Sequence, residues 1–221
     1  MRLQAVLLDI DGTLVDSNDK HTDCWVEAFA HFGKQVAWDD IREQIGKGGD
    51  LLVPDTLNAR EMRTIGEPLK KYRGELWAEK YMQSVRPFPG AVDAIRELHA
   101  QGIKIALASS SNPDEVEYYV ELLGVADLLE GTTSKEDAEF SKPSPEIFRA
   151  ALERVKSDPA RTLAVGDTPY DILAAHRTPV PIAAVLCGGF PRESLTKAEF
   201  LFDDLPAMMK ELDRIDEYFR D

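Results

Sequence analysis

One short stretch constrains this chain more than any other: Val6-Leu7-Leu8-Asp9-Ile10-Asp11-Gly12-Thr13-Leu14-Val15-Asp16. An apolar run, Ala5 to Leu8, breaks directly into two carboxylates one residue apart. A run without polar alternation reads as a strand buried on both faces, as in a parallel sheet. Gly12 ends it, because glycine permits a sharp turn and close backbone approach. In open α/β sheets, ligands bind at the carboxyl ends of the strands. Asp9 and Asp11 repel each other at that place, and burial raises the cost. A bound cation is the simplest relief, and Mg²⁺ is the hard ion that prefers such oxygen ligands. Asp and Gly are also ordinary turn residues, so later stretches must decide.

After Asp16 the pattern turns helical. Cys24, Trp25, Ala28, Phe29 and Phe32 recur at helix spacing, and Gly33 is a stop signal. Ile41 and Ile45 mark a second short helix before Gly46-Lys47-Gly48-Gly49. Leu51, Leu52, Val53 and Leu57 follow, broken by Pro54. A long charged segment carries Leu69, Tyr72, Leu76, Trp77 and Tyr81 on one stripe, with Gly66 and Pro68 placed to kink it. Nothing from 17 to 84 reads as a strand, so an all-helical insert follows the first strand directly. From Arg86-Pro87-Phe88-Pro89-Gly90 onward, βα units alternate. Strands are expected at Ile103 to Ala108, Thr162 to Val165, Ile182 to Leu186 and Phe200 to Phe202. Leu205 to Phe219 reads as one closing amphipathic helix. This is an α/β chain: a three-layer, Rossmann-like parallel sheet core with an all-helical cap inserted after the first strand. The expected division is 1–15 and 86–221 for the core, and 16–85 for the cap.

Three further strand ends carry polar residues. Ser109-Ser110-Ser111-Asn112 offers hydroxyls and free amides at a strand-to-helix turn, which suit a phosphate oxygen. A plain serine-rich cap has the same look. In Ser141-Lys142-Pro143-Ser144-Pro145, Pro143 and Pro145 stiffen the backbone directly after Lys142. Such stiffness is wasted on a solvated lysine. In Gly166-Asp167-Thr168-Pro169-Tyr170-Asp171, two carboxylates lie one helical turn apart and can face the same point as Asp9. An acid pair at a helix start is also favoured by the macrodipole.

The chain has 221 residues, 43% hydrophobic, and a net charge of −14. An acidic surface argues against nucleic acid and anionic membranes as partners. It also opposes a phosphorylated substrate unless positive charge is concentrated in the site. Cys24 and Cys187 match no metal or redox spacing, and reduced thiols fit a cytoplasmic setting. No signal-peptide pattern opens the chain, and no apolar run approaches the ~20 residues needed to span a bilayer.

The four stretches together, in this order, resemble the haloacid dehalogenase superfamily over essentially the whole chain. D-I-D-G-T-L-V-D resembles its nucleophile stretch, the Ser109 turn its second, Lys142 its third and G-D-T-P-Y-D its metal-binding fourth. The helical insert resembles the small cap of the subgroup holding phosphoglycolate phosphatases and β-phosphoglucomutases. Ile45-Gly46-Lys47-Gly48-Gly49-Asp50 looks like the cap loop that reads substrate there.

The resemblance implies a phosphatase acting on a small phosphorylated metabolite, phosphoglycolate- or sugar-phosphate-like. Asp9 is implied as nucleophile, forming an aspartyl-phosphate. Asp11 is implied as the acid that protonates the leaving group and then the base that activates water, which requires a raised pKa in the closed site. Ser109, Ser110, Lys142 and Gly12 would bind phosphate. Mg²⁺ would be held by Asp9, the Asp11 carbonyl and Asp167, with Asp171 as ligand or brace. Lys47 and His21 are the cap residues nearest substrate, although each reads equally well as a solvated side chain. Thr13 and Gly166-Asp167 lean towards phosphatase and His21 towards the alternative, a hexose-phosphate mutase. Monomer and dimer both remain open.

Overall fold

A computed structural model describes residues 2–219. Ala5–Leu8 forms β1, buried along its whole length. It lies inside a six-stranded parallel sheet ordered β3-β2-β1-β4-β5-β6. The other strands are β2 (Lys104–Ala108), β3 (Gly131–Thr133), β4 (Thr162–Gly166), β5 (Ile182–Val185) and β6 (Phe200–Phe202). Leu8 stands opposite both Leu107 and Val165, so β1, β2 and β4 end level with one another. From β1 the chain order runs outward in both directions along the sheet. That reversal opens a crevice at the strand ends, and Asp9, Ser109 and Asp167 leave their strands there.

Between β1 and β2 lies the helical cap. It contains α1 (Asn18–His31), α2 (Trp38–Arg42), α3 (Gly49–Thr56), α4 (Ala59–Glu61) and α5 (Glu67–Leu76). Wider π-type turns at Met62–Gly66 and Trp77–Tyr81 flank α5, so the expected irregularity near Gly66 and Pro68 is present. Pro54 was expected to interrupt its segment; α3 instead runs through it, forgoing one backbone donor. Trp25, Phe29, Ile41, Ile45, Leu52, Val53, Leu57 and Leu69 bury into a cluster of their own. Each fully buried apolar side chain there contributes about 2–3 kcal/mol relative to exposure. The two linkers run side by side, with the Asp16 amide donating to Arg86 O at 2.9 Å.

Alternate strand residues feed two further layers. Val6, Leu8, Ile105 and Leu107 pack with α6 (Ala91–Ala100), α7 (Pro113–Leu123) and the C-terminal helices. Ala5, Leu7, Ala106 and Ala164 pack under α8 (Glu146–Val155) and α9 (Pro169–Arg177). The closing helix is two helices, α10 (Leu205–Lys210) and α11 (Leu212–Tyr218). The break lets Asp216 accept from the Leu3 amide at 2.9 Å, which ties α11 to the start of the sheet. β3 is an addition to the sequence reading. Its three residues, Gly-Thr-Thr, carry no apolar run, and pairing with β2 alone makes them a strand. No helix among the described residues is long and apolar enough to cross a membrane.

Candidate active site

The strand-end residues converge. The Lys142 ammonium donates to Asp9 Oδ1 and to Ala108 O (2.8 Å), and lies 2.8 Å from Asp171 Oδ1. Lys142 is 2% exposed and Asp171 1%. A capping box at the start of α9 fixes Asp171, whose Oδ2 accepts from the Thr168 hydroxyl (2.6 Å) and amide (3.1 Å). Pro169 in the first turn needs no donor, so the helix starts where these bonds are made. Asp167 accepts from Asn18 Nδ2 at 2.7 Å and from Thr13 Oγ1 at 3.3 Å.

Carboxylate oxygens of Asp9, Asp167 and Asp171 all lie within 4.8 Å of one another. Three buried acids thus face one buried lysine. Burial is the main force pushing the Asp9 carboxyl up to about 7; Lys142 opposes it, and repulsion from Asp171 and Asp11 adds to it. Burial, with repulsion from Asp171 and Asp9, likewise pushes Asp167 well above the carboxylate range. For Lys142, burial favours the neutral amine, but Asp171 and Asp9 outweigh it and keep the ammonium. An all-oxygen, charge-deficient donor set of this kind fits a hard divalent cation.

Asp11 belongs to a second group. Its Oδ1 accepts from Ser17 Oγ (2.6 Å) and faces His21 Nε2 (2.9 Å); its Oδ2 accepts from Ser111 Oγ (3.1 Å). Arg73, from α5, meets His21 Nδ1. A carboxylate only accepts, so the His21 Nε2–H is the donor to Asp11. The His21 ring stacks on Trp77 at 3.7 Å between centroids, and its Nε2 also lies 3.6 Å from Glu115 Oε1. Burial acts to raise Asp11, but His21 and the hydrogen bonds from His21, Ser17 and Ser111 outweigh it and hold the carboxyl down at about 2. The expected raised pKa is therefore corrected: here Asp11 is a carboxylate. His21, 6% exposed, is no solvated helix residue.

Between these groups and the cap lies a cavity of about 350 Å³. Ser109 is buried and its Oγ accepts from the Ser111 amide at 3.0 Å; Ser110 Oγ is buried with no partner. Gly12 adopts φ +78°, and a side chain there would meet Asn18 and Asp167. Lys47 lines the cavity but pairs with Asp55 at 2.8 Å. Lys70, Arg73 and Lys135 line it as well. Of the site residues singled out in the sequence, Asp9, Asp11, His21, Lys47, Ser109, Ser110, Lys142 and Asp171 line the cavity, and Asp167 and Gly12 lie together beside Asn18. Missed were Asn18, Ser17, Thr13, Arg73 and Glu115. For Arg73 a signal existed, since it shares the α5 stripe with Leu69, Tyr72 and Trp77. Glu115 is buried in α7, and burial pushes its carboxyl up; nothing in its sequence surroundings marks it.

The chain is similar to known proteins in sequence and fold. The haloacid dehalogenase-like hydrolase family model matches residues 3–177. Pyrophosphatase PpaX of Oceanobacillus iheyensis is 28% identical over 185 residues, covering 84% of each chain. Pyrophosphatase PpaX of Bacillus mycoides is 26% identical over 219 residues, 97% of this chain and 99% of that protein. The crystal structure of a hydrolase from Pseudomonas syringae superposes with a TM-score of 0.88 at 25% identity, covering 96% of this chain and 99% of that one. With the family model spanning most of its length and three strand ends and the Lys142 loop meeting in one crevice, this chain belongs to the haloacid dehalogenase-like hydrolases.

Proposed function

We propose that the protein is a Mg²⁺-dependent phosphatase of small phosphate esters, working through an aspartyl-phosphate on Asp9. One observation carries the reading: the Lys142 ammonium on Asp9 Oδ1, beside an unpartnered buried Ser110 hydroxyl, in a cavity of about 350 Å³. That volume is near the lower end for ligand pockets, which favours a small leaving group. An Asp9 carboxylate oxygen attacks phosphorus, the P–O bond to the leaving group breaks, and the departing alkoxide takes a proton from Asp11. Asp11 then removes a proton from water; the hydroxide attacks phosphorus and releases phosphate and the Asp9 carboxylate. Asp11 as a carboxylate is the form needed for the second half, and it must gain a proton before the first. Lys142 and the hydroxyls of Ser109 and Ser110 orient the phosphoryl oxygens and balance their charge. A Mg²⁺ ion held by Asp9, Asp167 and the Asp11 carbonyl would supply further positive charge there, with Asp171 as a brace. Residues 16–85 act as the cap over a core of 1–15 and 86–221.

Phosphate release from a panel of small esters, with and without Mg²⁺, tests this in wild type and Asp9→Asn. Turnover that needs Mg²⁺ and falls at least a thousandfold in the variant is the expected result. Absence of turnover with every compound, or turnover surviving Asp9→Asn, refutes it. A β-hexose 1-phosphate belongs in the panel, because conversion to the 6-phosphate faster than phosphate release marks the mutase alternative. Pyrophosphate belongs there too. Lys47, Lys70, Arg73 and Lys135 line the cavity and can meet a second anionic group, and both relatives carry the name pyrophosphatase.

A further inference from the structure

Tyr170 sits between the two acids of the fourth stretch and serves neither. Asp171 caps α9 and Asp167 faces Asn18 and Thr13, whereas the Tyr170 side chain leaves the core and meets the cap. Its hydroxyl donates to Glu43 O at 2.8 Å. Glu43 is the C-cap of α2, where the last carbonyls have no helical donor. The Tyr170 ring also carries the Lys47 ammonium 5.3 Å from its centroid. Burial pushes the phenol up, so the hydroxyl keeps its proton.

The chain that follows Glu43 is moulded to the core. Gly46 adopts φ +101°, and a Cβ there would lie 2.7 Å from Thr168 Cγ2. A Cβ on Gly48 would lie 2.0 Å from Ser141 Oγ. Asp50 Oδ2 accepts from the Ser141 amide at 3.2 Å. On the other flank, Arg42 donates to Gly188 O and stands 4.9 Å over the Phe190 ring. Residues 42–50 therefore touch the lysine-bearing loop, the start of α9 and the loop after β5. The same residues Ile45 to Asp50 roof the cavity. Their glycines allow contact with the core at atomic distance, which is the opposite of a free substrate loop.

We propose that Tyr170 is a positioning residue that fastens the cap loop 43–50 over the pocket, its hydroxyl serving as the hydrogen-bond donor that holds the seam shut. The seam is independent of which ester is turned over; only its kinetic consequence rests on the phosphatase reading. Tyr170→Phe keeps the ring beneath Lys47 and removes the donor. Hydrogen exchange then reads the loop without any turnover. The amides of Gln44, Ile45 and Lys47 bond to Ile41 O, Arg42 O and Gln44 O, so they report opening. Losing one hydrogen bond predicts exchange about fivefold faster at these three amides, with those of β1 and β4 unchanged. With p-nitrophenyl phosphate, KM rises by a similar factor and kcat stays within about twofold. Unchanged exchange in the loop, or equal acceleration throughout the chain, overturns the proposal. A fall in kcat at constant KM also overturns it, because Tyr170 would then act on the chemistry through Asp171. Failure of wild type to cleave any ester counts against the phosphatase reading alone, and the exchange result still decides the seam.

Discussion

Asp9→Asn is expected to stabilise the metal-free protein while ending its activity, and the size of the effect follows from burial. Asp9 titrates near 7 in the folded chain against 3.8 in the unfolded one. An acid whose folded pKa is raised costs nothing below the unfolded pKa. Its cost grows as pH climbs from about 4 to 7, because the native state keeps a proton that the unfolded state has released, and above 7 it is constant. The interval of about 3 units at 1.36 kcal/mol each gives about 4 kcal/mol at pH 8 and less than about 2 at pH 5. Asparagine removes this cost but deprives Lys142 of one partner, leaving it Asp171 and Ala108 O. The net gain at pH 8 is therefore about 2 kcal/mol, which for a chain of this length raises Tm by about 4–8 °C. Thermal unfolding in EDTA at pH 8 and pH 5 is the assay. A variant no more stable than wild type at pH 8, or equally stabilised at both pH values, refutes the reasoning. Adding Mg²⁺ should narrow the gap, since the ion binds the native wild type through the group that the variant lacks.

Other consequences follow from the same contacts. His21→Ala removes the side chain that holds Asp11 near 2; because Asp11 must carry a proton for the first half-reaction, the limb of kcat/KM that falls with rising pH should move up by about a unit or more. Lys142→Met leaves three buried acids with no cation, which destabilises by about 3–5 kcal/mol in EDTA at pH 8 and less at pH 5, where protonation relieves the repulsion; denaturant unfolding at the two pH values reads the difference. Gly12→Ala places a Cβ 2.2 Å from Asn18 Nδ2 and 2.3 Å from Asp167 Oδ2 at a positive φ. It should cost about 1–3 kcal/mol and abolish the rise in Tm on adding Mg²⁺.

The core half of the site was legible because strands leave little freedom. A buried parallel strand must end where the sheet ends, so Asp9, Ser109 and Asp167 were bound to share one edge once β1, β2 and β4 were neighbours. Lys142 was legible from the two prolines that follow it. The cap half was not. Helical spacing shows which face His21 and Asn18 share with Trp25, but not what stands opposite that face. Whether His21 meets solvent or Asp11 depends on how α1 docks, a tertiary fact with no local trace. Asp11 itself shows the same limit. Its expected elevated pKa followed from the acid role that the resemblance implies; burial pushes that way, yet three donors from Ser17, His21 and Ser111 reverse the sign. β3 escaped because three residues without an apolar run carry no periodicity.

The acidic composition raised a difficulty for an anionic substrate, and the site answers it by distance rather than by total charge. Asp9 and Asp11 lie one residue apart yet belong to different electrostatic groups. Asp9 is coupled to Lys142, Asp167 and Asp171 and is driven towards protonation. Asp11 is bonded to His21, Ser17 and Ser111 and is driven away from it. The first group sits on core strand ends, the loop before α8 and the start of α9, with Asn18 reaching in from the cap. The second takes His21 from α1 of the cap and Ser111 from the core. Opening the cap would carry His21 off Asp11 while leaving Lys142 on Asp9. On the proposed mechanism, the carboxyl assigned to acid and base work is thus the one bonded to a cap histidine, and the carboxyl proposed as nucleophile is the one held by a core lysine.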